Sequence, residues 1–379
     1  MSRKKILIFS TAYVPFIGGA EVAVTEITDR LGSVFDFEMV TARLDANLPQ
    51  HERVGNVMVH RVGTGSAWDK FRLIWQGSKF ARKLGVPDAV WAIMASYAGF
   101  AALRYKKQNP SVPFLLTLQE GDSQWHIYKH VWWCWPYFTQ IFKRADRIQA
   151  ISTYLAAWAK SLGARGPVDT VPNGVDLEKF KRPVIDRGQV RAELGLPSGG
   201  QYVISVSRLA PKNGIADLIA ALAFLPVNVR LLLAGNGELE AQLQAKVRAL
   251  AVADRVAFLG ALTHEQVAKY LWASDVFCRP SLSEGLGNSF LEAMAAGVPV
   301  VATPVGGIPD FLTDGRTGWF CRPRHPQSIA RAIGYVLDEK NQGHVERVVA
   351  NASDLVAENY SWDTVAGRMK NIFTSFMSS

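Results

Sequence analysis

Short apolar, β-branched runs alternate along the chain with longer stretches whose apolar positions recur at helical spacing. Unbroken or alternating apolar runs suit strands, and a period near 3.6 suits helices. In the first half this predicts strands over residues 5–9, 38–41, 57–62, 114–118 and 147–151, with a helix over 21–31. A second series predicts strands at 202–206, 230–234, 256–259, 275–278 and 299–303, with helices over 215–224, 238–250 and 265–273. Strand–helix alternation implies parallel sheets joined by crossover helices. The series meet at an extended run stopped by the turn Pro172-Asn173-Gly174, and residues 177–198, rich in charge, Pro and Gly, read as a linker. At the end, Trp362, Val365, Ala366, Met369, Ile372, Phe373 and Phe376 recur at helical spacing, so one face of a last helix needs cover. Ser361 is its expected N-cap.

The 379 residues exceed one ordinary core and suit two α/β domains. Ligands of open parallel sheets sit at the carboxyl ends of the strands, so two such domains facing each other would both line a central cleft. Charge is uneven: residues 1–173 hold 21 Lys+Arg against 13 Asp+Glu, and residues 174–379 hold 21 against 20. The basic first half reads as a solvated face, an anionic membrane surface or the partner of a phosphate-bearing acceptor. No zinc-finger, RNP-like or basic-helix pattern is present to carry nucleic-acid binding. Cys134, Cys278 and Cys321 are odd in number and far apart, which predicts buried free thiols in a reducing cytoplasm rather than disulfides or a zinc site. Ser2-Arg3-Lys4-Lys5 precedes only a four-residue apolar run, so it reads as leading into a first strand rather than as a signal peptide. No stretch approaches the roughly 20 apolar residues of a membrane span.

The richest chemistry lies in residues 280–297, Pro-Ser-Leu-Ser-Glu-Gly-Leu-Gly-Asn-Ser-Phe-Leu-Glu-Ala-Met-Ala-Ala-Gly. A strand precedes it, glycines loosen its loop, and the loop opens a helix that Gly297 ends. Exposed amides at a helix start form an anion site, for which a diphosphate is the natural occupant. Glu284 in the loop and Glu292 about one turn into the helix flank that site. Carboxylates do not bind phosphate, so their partners are hydroxyls, and hydroxyls on both sides of a diphosphate describe a nucleotide sugar. An isolated pair at this spacing would read as two solvated glutamates; the glycines and the second loop, Thr303-Pro304-Val305-Gly306-Gly307, set this one apart.

Segment 280–297 resembles the E-x7-E signature of retaining GT-B glycosyltransferases of family 4. Gly18-Gly19-Ala20-Glu21, Pro172-Asn173-Gly174-Val175-Asp176, Ser207-Arg208-Leu209, Gly235-Asn236-Gly237 and Val305-Gly306-Gly307 fall in the family's order. The resemblance implies two Rossmann-like domains facing a central cleft: an acceptor domain over 1–173, a donor domain over 174–358, and a C-terminal helix over 359–379 crossing back to the first. It implies that Glu284 holds hydroxyls of the donor sugar, Glu292 holds the ribose, and amides around Gly287, Asn288 and Ser289 meet the diphosphate or sugar. Arg208 would stabilise charge on the leaving group, and Gly18 and Gly19 would let a first-domain loop approach the reaction centre. The expected reaction is metal- and cofactor-free transfer from a nucleoside diphosphate sugar to a glycan or lipid-linked hydroxyl, in the cytoplasm.

Two departures stand out. Asn213 fills the family's lysine position, with Lys212 one residue earlier, so either Lys212 still reaches the phosphates or Arg208 acts with weaker help. In the first domain the family's His is missing from Thr117-Leu118-Gln119-Glu120-Gly121-Asp122. Glu120 or Asp122 is expected to replace it, as a hydroxyl partner or as a base. Residues 126–138 gather Trp and Tyr beside Lys and Arg, which reads as core packing or as an interfacial or acceptor surface.

Overall fold

The computed structural model describes residues 3–16 and 18–377. The chain forms two compact units, Met1–Gly174 with Trp362–Ser379, and Val175–Ser361. The first break thus falls after Gly174 rather than before it, and the return falls at Trp362 rather than at 359.

The first unit holds β1 (Lys4–Ser10), β2 (Phe35–Ala42), β3 (His51–Val54), β4 (Val57–Val62), β5 (Ala89–Ile93), β6 (Phe114–Leu118), β7 (Arg147–Ala150) and β8 (Val168–Thr170). They form one sheet in the order β3-β4-β2-β1-β5-β6-β7-β8, parallel except for the β3–β4 pairing. The second unit holds β9 (Gln201–Val206), β10 (Val229–Ala234), β11 (Val256–Gly260), β12 (Val276–Arg279), β13 (Val300–Ala302) and β14 (Trp319–Phe320), parallel in the order β11-β10-β9-β12-β13-β14. In each sheet the first strand is flanked on one side by the next strand in the chain and on the other by a later one: β1 lies between β2 and β5, and β9 between β10 and β12. Loops diverge at such a switch point and leave a crevice beyond the strand ends.

Strand β5 escapes the pattern used above, yet it occupies the middle of its sheet with all five residues buried. Ala89-Val90-Trp91-Ala92-Ile93 is an unbroken apolar run without alternation, because helices cover both faces of a central parallel strand. Strand β12 runs one residue past the predicted end and so includes Arg279, which matters below.

The closing helix spans Trp362–Phe376, directly after Ser361, and all seven apolar residues of its predicted face are buried. They share a core with Val24, Ile27 and Leu31 of helix Gly19–Leu31. Phe373 is fully buried and meets Trp91 at 5.1 Å and Phe35 at 5.6 Å between ring centroids, edge to face in both pairs, the arrangement favoured by the ring quadrupoles. Phe373→Ala is expected to cost the first unit about 3–5 kcal/mol, read as a fall in its urea midpoint by tryptophan fluorescence. An unchanged midpoint would mean that the helix does not close this core.

Candidate functional site

In the second unit the candidate residues collect where β9, β12 and β13 end. Arg279, the last residue of β12, is 6% exposed. Its Nη1 donates to Ser289 Oγ at 2.8 Å and to the Val206 carbonyl at 3.2 Å, and its Nη2 donates to Glu284 Oε2. The guanidinium also lies 4.2 Å from the Phe290 ring centroid, where the negative ring face attracts a cation. Burial pulls this guanidinium below its ordinary range, while the charges of Glu284 and Glu292 pull it back up. Arginine stays charged under such pressure, so a fixed cation sits behind the glutamate pair.

Glu284 follows in the loop, with Oε1 accepting from the Gly285 amide at 3.1 Å. Its backbone is clamped by the loop after β13. The Gly307 amide donates to the Glu284 carbonyl at 3.2 Å, and Gly306 has φ +58 with its missing Cβ position only 1.8 Å from that carbonyl. Any side chain at Gly306 would therefore displace Glu284 as well as strain the backbone. Glu292 lies one turn into helix Asn288–Ala295, which Gly287 caps with φ +92. Burial pushes its carboxyl up to about 7 against the opposing charge of Arg279, and His264 Nε2 stands 4.0 Å away. Ser289 is buried with its hydroxyl donating to the Val206 carbonyl at 3.0 Å. Its side chain is thereby engaged in holding the site together, while its backbone amide lies in the first turn of the helix, where amides favour an anion.

The loop after β9 carries Arg208 and Lys212. Arg208 is exposed, and its guanidinium makes no hydrogen bond or ion pair among the described residues. Asn213 is buried, and its Nδ2 donates to the Arg208 carbonyl at 2.6 Å. The residue in the lysine position is thus a brace for the loop. Lys212 stands beside it, partly exposed, with its carbonyl accepting from the Leu282 amide at 2.6 Å, two residues before Glu284. The neighbouring Gly235-Asn236-Gly237 loop has a packing role: a Cβ on Gly235 would lie 2.0 Å from the Ser207 carbonyl.

In the first unit the corresponding strand ends bring together Thr11, Ser96 and Glu120. Thr11 Oγ1 and Ser96 Oγ are 3.1 Å apart. Glu120 is 7% exposed; its Oε1 accepts from the Ala95 amide at 2.6 Å, and its buried Oε2 has no hydrogen-bond partner among the described residues. Burial pushes its carboxyl up to about 7, the Asp122 charge adds to this, and three backbone amides oppose it. Asp122 is exposed, so the two candidates for the missing histidine differ sharply in setting. Met94, next to Ala95, holds φ +70, a strained shape for a side-chain-bearing residue and one found often at functional loops. Gly18 is partly exposed and Gly19 exposed. Gly18 is extended at φ −140 and caps helix Gly19–Leu31, a shape open to any residue. What a Cβ would meet there is the Glu21 carboxylate, 2.5 Å away.

Comparison with known proteins fits this geometry. The model for Glycosyltransferase Family 4 matches residues 17–179, and that for Glycosyl transferases group 1 matches residues 186–371. The chain belongs to glycosyltransferase family 4. An uncharacterized glycosyltransferase of Methanocaldococcus jannaschii is 26% identical over 97% of both chains. Among solved structures, sucrose-phosphate synthase of Thermosynechococcus elongatus superposes with a TM-score of 0.87 at 22% identity, over 99% of this chain and 100% of that one. HepE of Anabaena in complex with UDP-glucose gives 0.82 at 21% identity, over 98% and 99%. These likenesses fix the fold of this glycosyltransferase as GT-B.

The sequence reading of this glycosyltransferase misses Arg279. Its signal is a lone charged residue closing an apolar strand five positions before Glu284, and a strand ended at Cys278 hides it. Cys134 also differs from expectation, being partly exposed while Cys278 and Cys321 are buried.

The raised carboxyl of Glu120 carries a pH signature. Unfolded, it releases its proton near 4.5; folded, it holds it to about 7. Between those values the folded form binds more protons, so this group lowers stability as pH rises, with the full cost present above about 7. Glu120→Gln keeps the shape and removes the titration. The variant is expected to match the parent near pH 4 and to gain about 1–3 kcal/mol on it by about pH 8, measured by urea unfolding. Parallel pH profiles would refute the buried, protonated state.

Proposed function

We propose that this glycosyltransferase moves a sugar from a nucleoside diphosphate sugar, with uridine or guanosine as its base, to a hydroxyl of a glycan or lipid-linked acceptor, retaining the anomeric configuration. The observation that carries the reading is the buried Arg279 holding Glu284 at the mouth of helix Asn288–Ala295. A carboxylate fixed in this way accepts hydrogen bonds from sugar hydroxyls in a defined direction. Glu292, further along the helix, takes the ribose hydroxyls. The first-turn amides at Gly287, Asn288 and Ser289 meet the diphosphate. Arg208 and Lys212 place positive charge against the departing nucleotide, an electrostatic stabilisation of the leaving group, and the proposed reaction needs neither metal nor cofactor. The complex of the fold neighbour HepE with UDP-glucose supports this donor class.

On the acceptor side, Glu120 fits the part left by the missing histidine. A carboxyl held near 7 takes up a proton from a hydroxyl or hydrogen-bonds to it at neutral pH; exposed Asp122 is the other candidate. Gly18 and Gly19 keep the first-unit loop free of bulky side chains for the acceptor. The cytoplasm is the proposed compartment, in keeping with three cysteines that are all free thiols.

Glu284→Ala is expected to lower acceptor-dependent release of UDP or GDP by at least about 100-fold in a variant with unchanged circular dichroism. Near-parental turnover would remove Glu284 from the reaction. Donor consumption without acceptor would point to an epimerase, and donor binding without turnover to a sensor. The base is read by thermal shift: a donor at 100 times its Kd adds about 2.7 kcal/mol.

A further inference from the structure

Helix Gln124–Val131, in the first unit, has no buried residue, and the segment that follows buries none before Phe138. Up to that point core packing accounts only for the half-buried Tyr128 and Trp135, which meet buried Trp158 and Phe138, and not for the other tryptophans. Trp125, Trp132 and Trp133 are 64%, 73% and 70% exposed, and Trp68 and Trp75 on a separate segment are 71% and 55% exposed. Five indoles left in water are a large apolar liability unless something covers them.

The two segments flank helix Tyr97–Gln108. On one side Trp68 meets Phe71 at 5.5 Å, and Phe71 meets Tyr97 at 4.9 Å between centroids. On the other, Phe100 stacks on Tyr137 at 5.6 Å. Tyr97 and Phe100 are three residues apart and so share a helix face, which links Trp68 to Tyr137 across the three elements.

The charge of this surface is one-sided. Residues 70–87, 97–108 and 123–145 contain eleven Lys and Arg and no Asp or Glu. Only Arg72 and Lys106 are spent on carboxylates, Asp69 and Asp146; the other nine form no ion pair among the described residues. Cations sit directly on the exposed rings, Lys129 at 4.1 Å from the Trp125 centroid and Lys107 at 4.5 Å from Tyr137. No helix of the described residues is long and apolar enough to cross a membrane.

We infer that this surface docks the protein on an anionic lipid bilayer, with the indoles at headgroup depth and the lysines and arginines against the acidic headgroups. Indole rings settle at the boundary between water and hydrocarbon, and basic side chains gain from the negative surface potential there. A second copy of this chain is a poor occupant, because a two-fold contact would set these unpaired cations against their own copies. Docking would bring a lipid-linked acceptor within reach, which rests on the proposed function, but the docking itself needs no donor and is tested without one.

The test uses the full chain and vesicles of phosphatidylcholine with or without phosphatidylglycerol, some with brominated acyl chains. The expected result is partitioning onto phosphatidylglycerol vesicles that weakens with salt, a blue shift of tryptophan emission, and quenching by the brominated lipid. Joint Trp132→Ser and Trp133→Ser should reduce partitioning by about tenfold or more and remove most of the quenching. Joint Lys107→Glu and Lys129→Glu should abolish the preference for phosphatidylglycerol. Both pairs are surface changes, and an unchanged thermal midpoint verifies the fold. No partitioning, partitioning without quenching, or full partitioning by the serine variant would each overturn the inference. So would a dimer in solution that the serine variant dissolves while the parent ignores vesicles.

Discussion

Arg279 carries its charge at the end of β12 with almost no contact with water, and that position dictates the geometry of the surrounding glutamate site. A buried guanidinium tolerates few arrangements: carboxylate, hydroxyl and carbonyl acceptors must converge on it, or the desolvation cost goes unmet. Glu284, Ser289 and the Val206 carbonyl are those acceptors, and Phe290 offers its ring face. One cation therefore ties the end of β9, the glutamate loop and the start of helix Asn288–Ala295 into a unit. In its proposed role, Glu284 could not hold a sugar in a fixed direction from a loop free to sample other shapes.

The same logic runs more weakly in the first unit. There the strand ends converge on a carboxyl, Glu120, that forms no ion pair among the described residues. It answers burial by keeping its proton to about 7, whereas Arg279 keeps its charge and recruits partners. Arg279 thus offers permanent charge, whereas Glu120 in the first unit and Glu292 beside Arg279, both pushed up to about 7 by burial, change state near neutral pH. A transfer reaction needs both kinds: fixed charge for a leaving nucleotide and a titrating group for an acceptor hydroxyl.

Much of this was legible from residue order because periodicity reports burial. The closing helix shows its seven core residues directly, since an amphipathic face has one interpretation. The placement of the glutamate pair was equally readable: a strand, a glycine-rich loop and a helix follow in order, and Glu284 lies in that loop with Glu292 one turn into the helix. The sequence hid whatever depends on long-range burial. Strand β5 has no alternation because both its faces are covered. Arg279 looks like a solvated strand end until β9 and Ser289 are seen to enclose it. Asn213 looks only like a lost lysine until its amide is seen bracing the Arg208 carbonyl. The tryptophans of residues 125–133 read equally well as core or surface, since the side chains that would cover them lie elsewhere in the chain or in no part of it.

The central claim is that Arg279 and Glu284 act as one element, and a double-mutant cycle tests it most directly. Arg279→Met, Glu284→Gln and the combined variant would be compared by unfolding free energy and by donor thermal shift. Either single change leaves a buried group without its partner, so each is expected to destabilise strongly and to remove the donor-induced shift. The combined change should cost less than the sum of the two, with a coupling of about 1–3 kcal/mol. Additive costs, or a donor shift that survives Arg279→Met, would contradict the account.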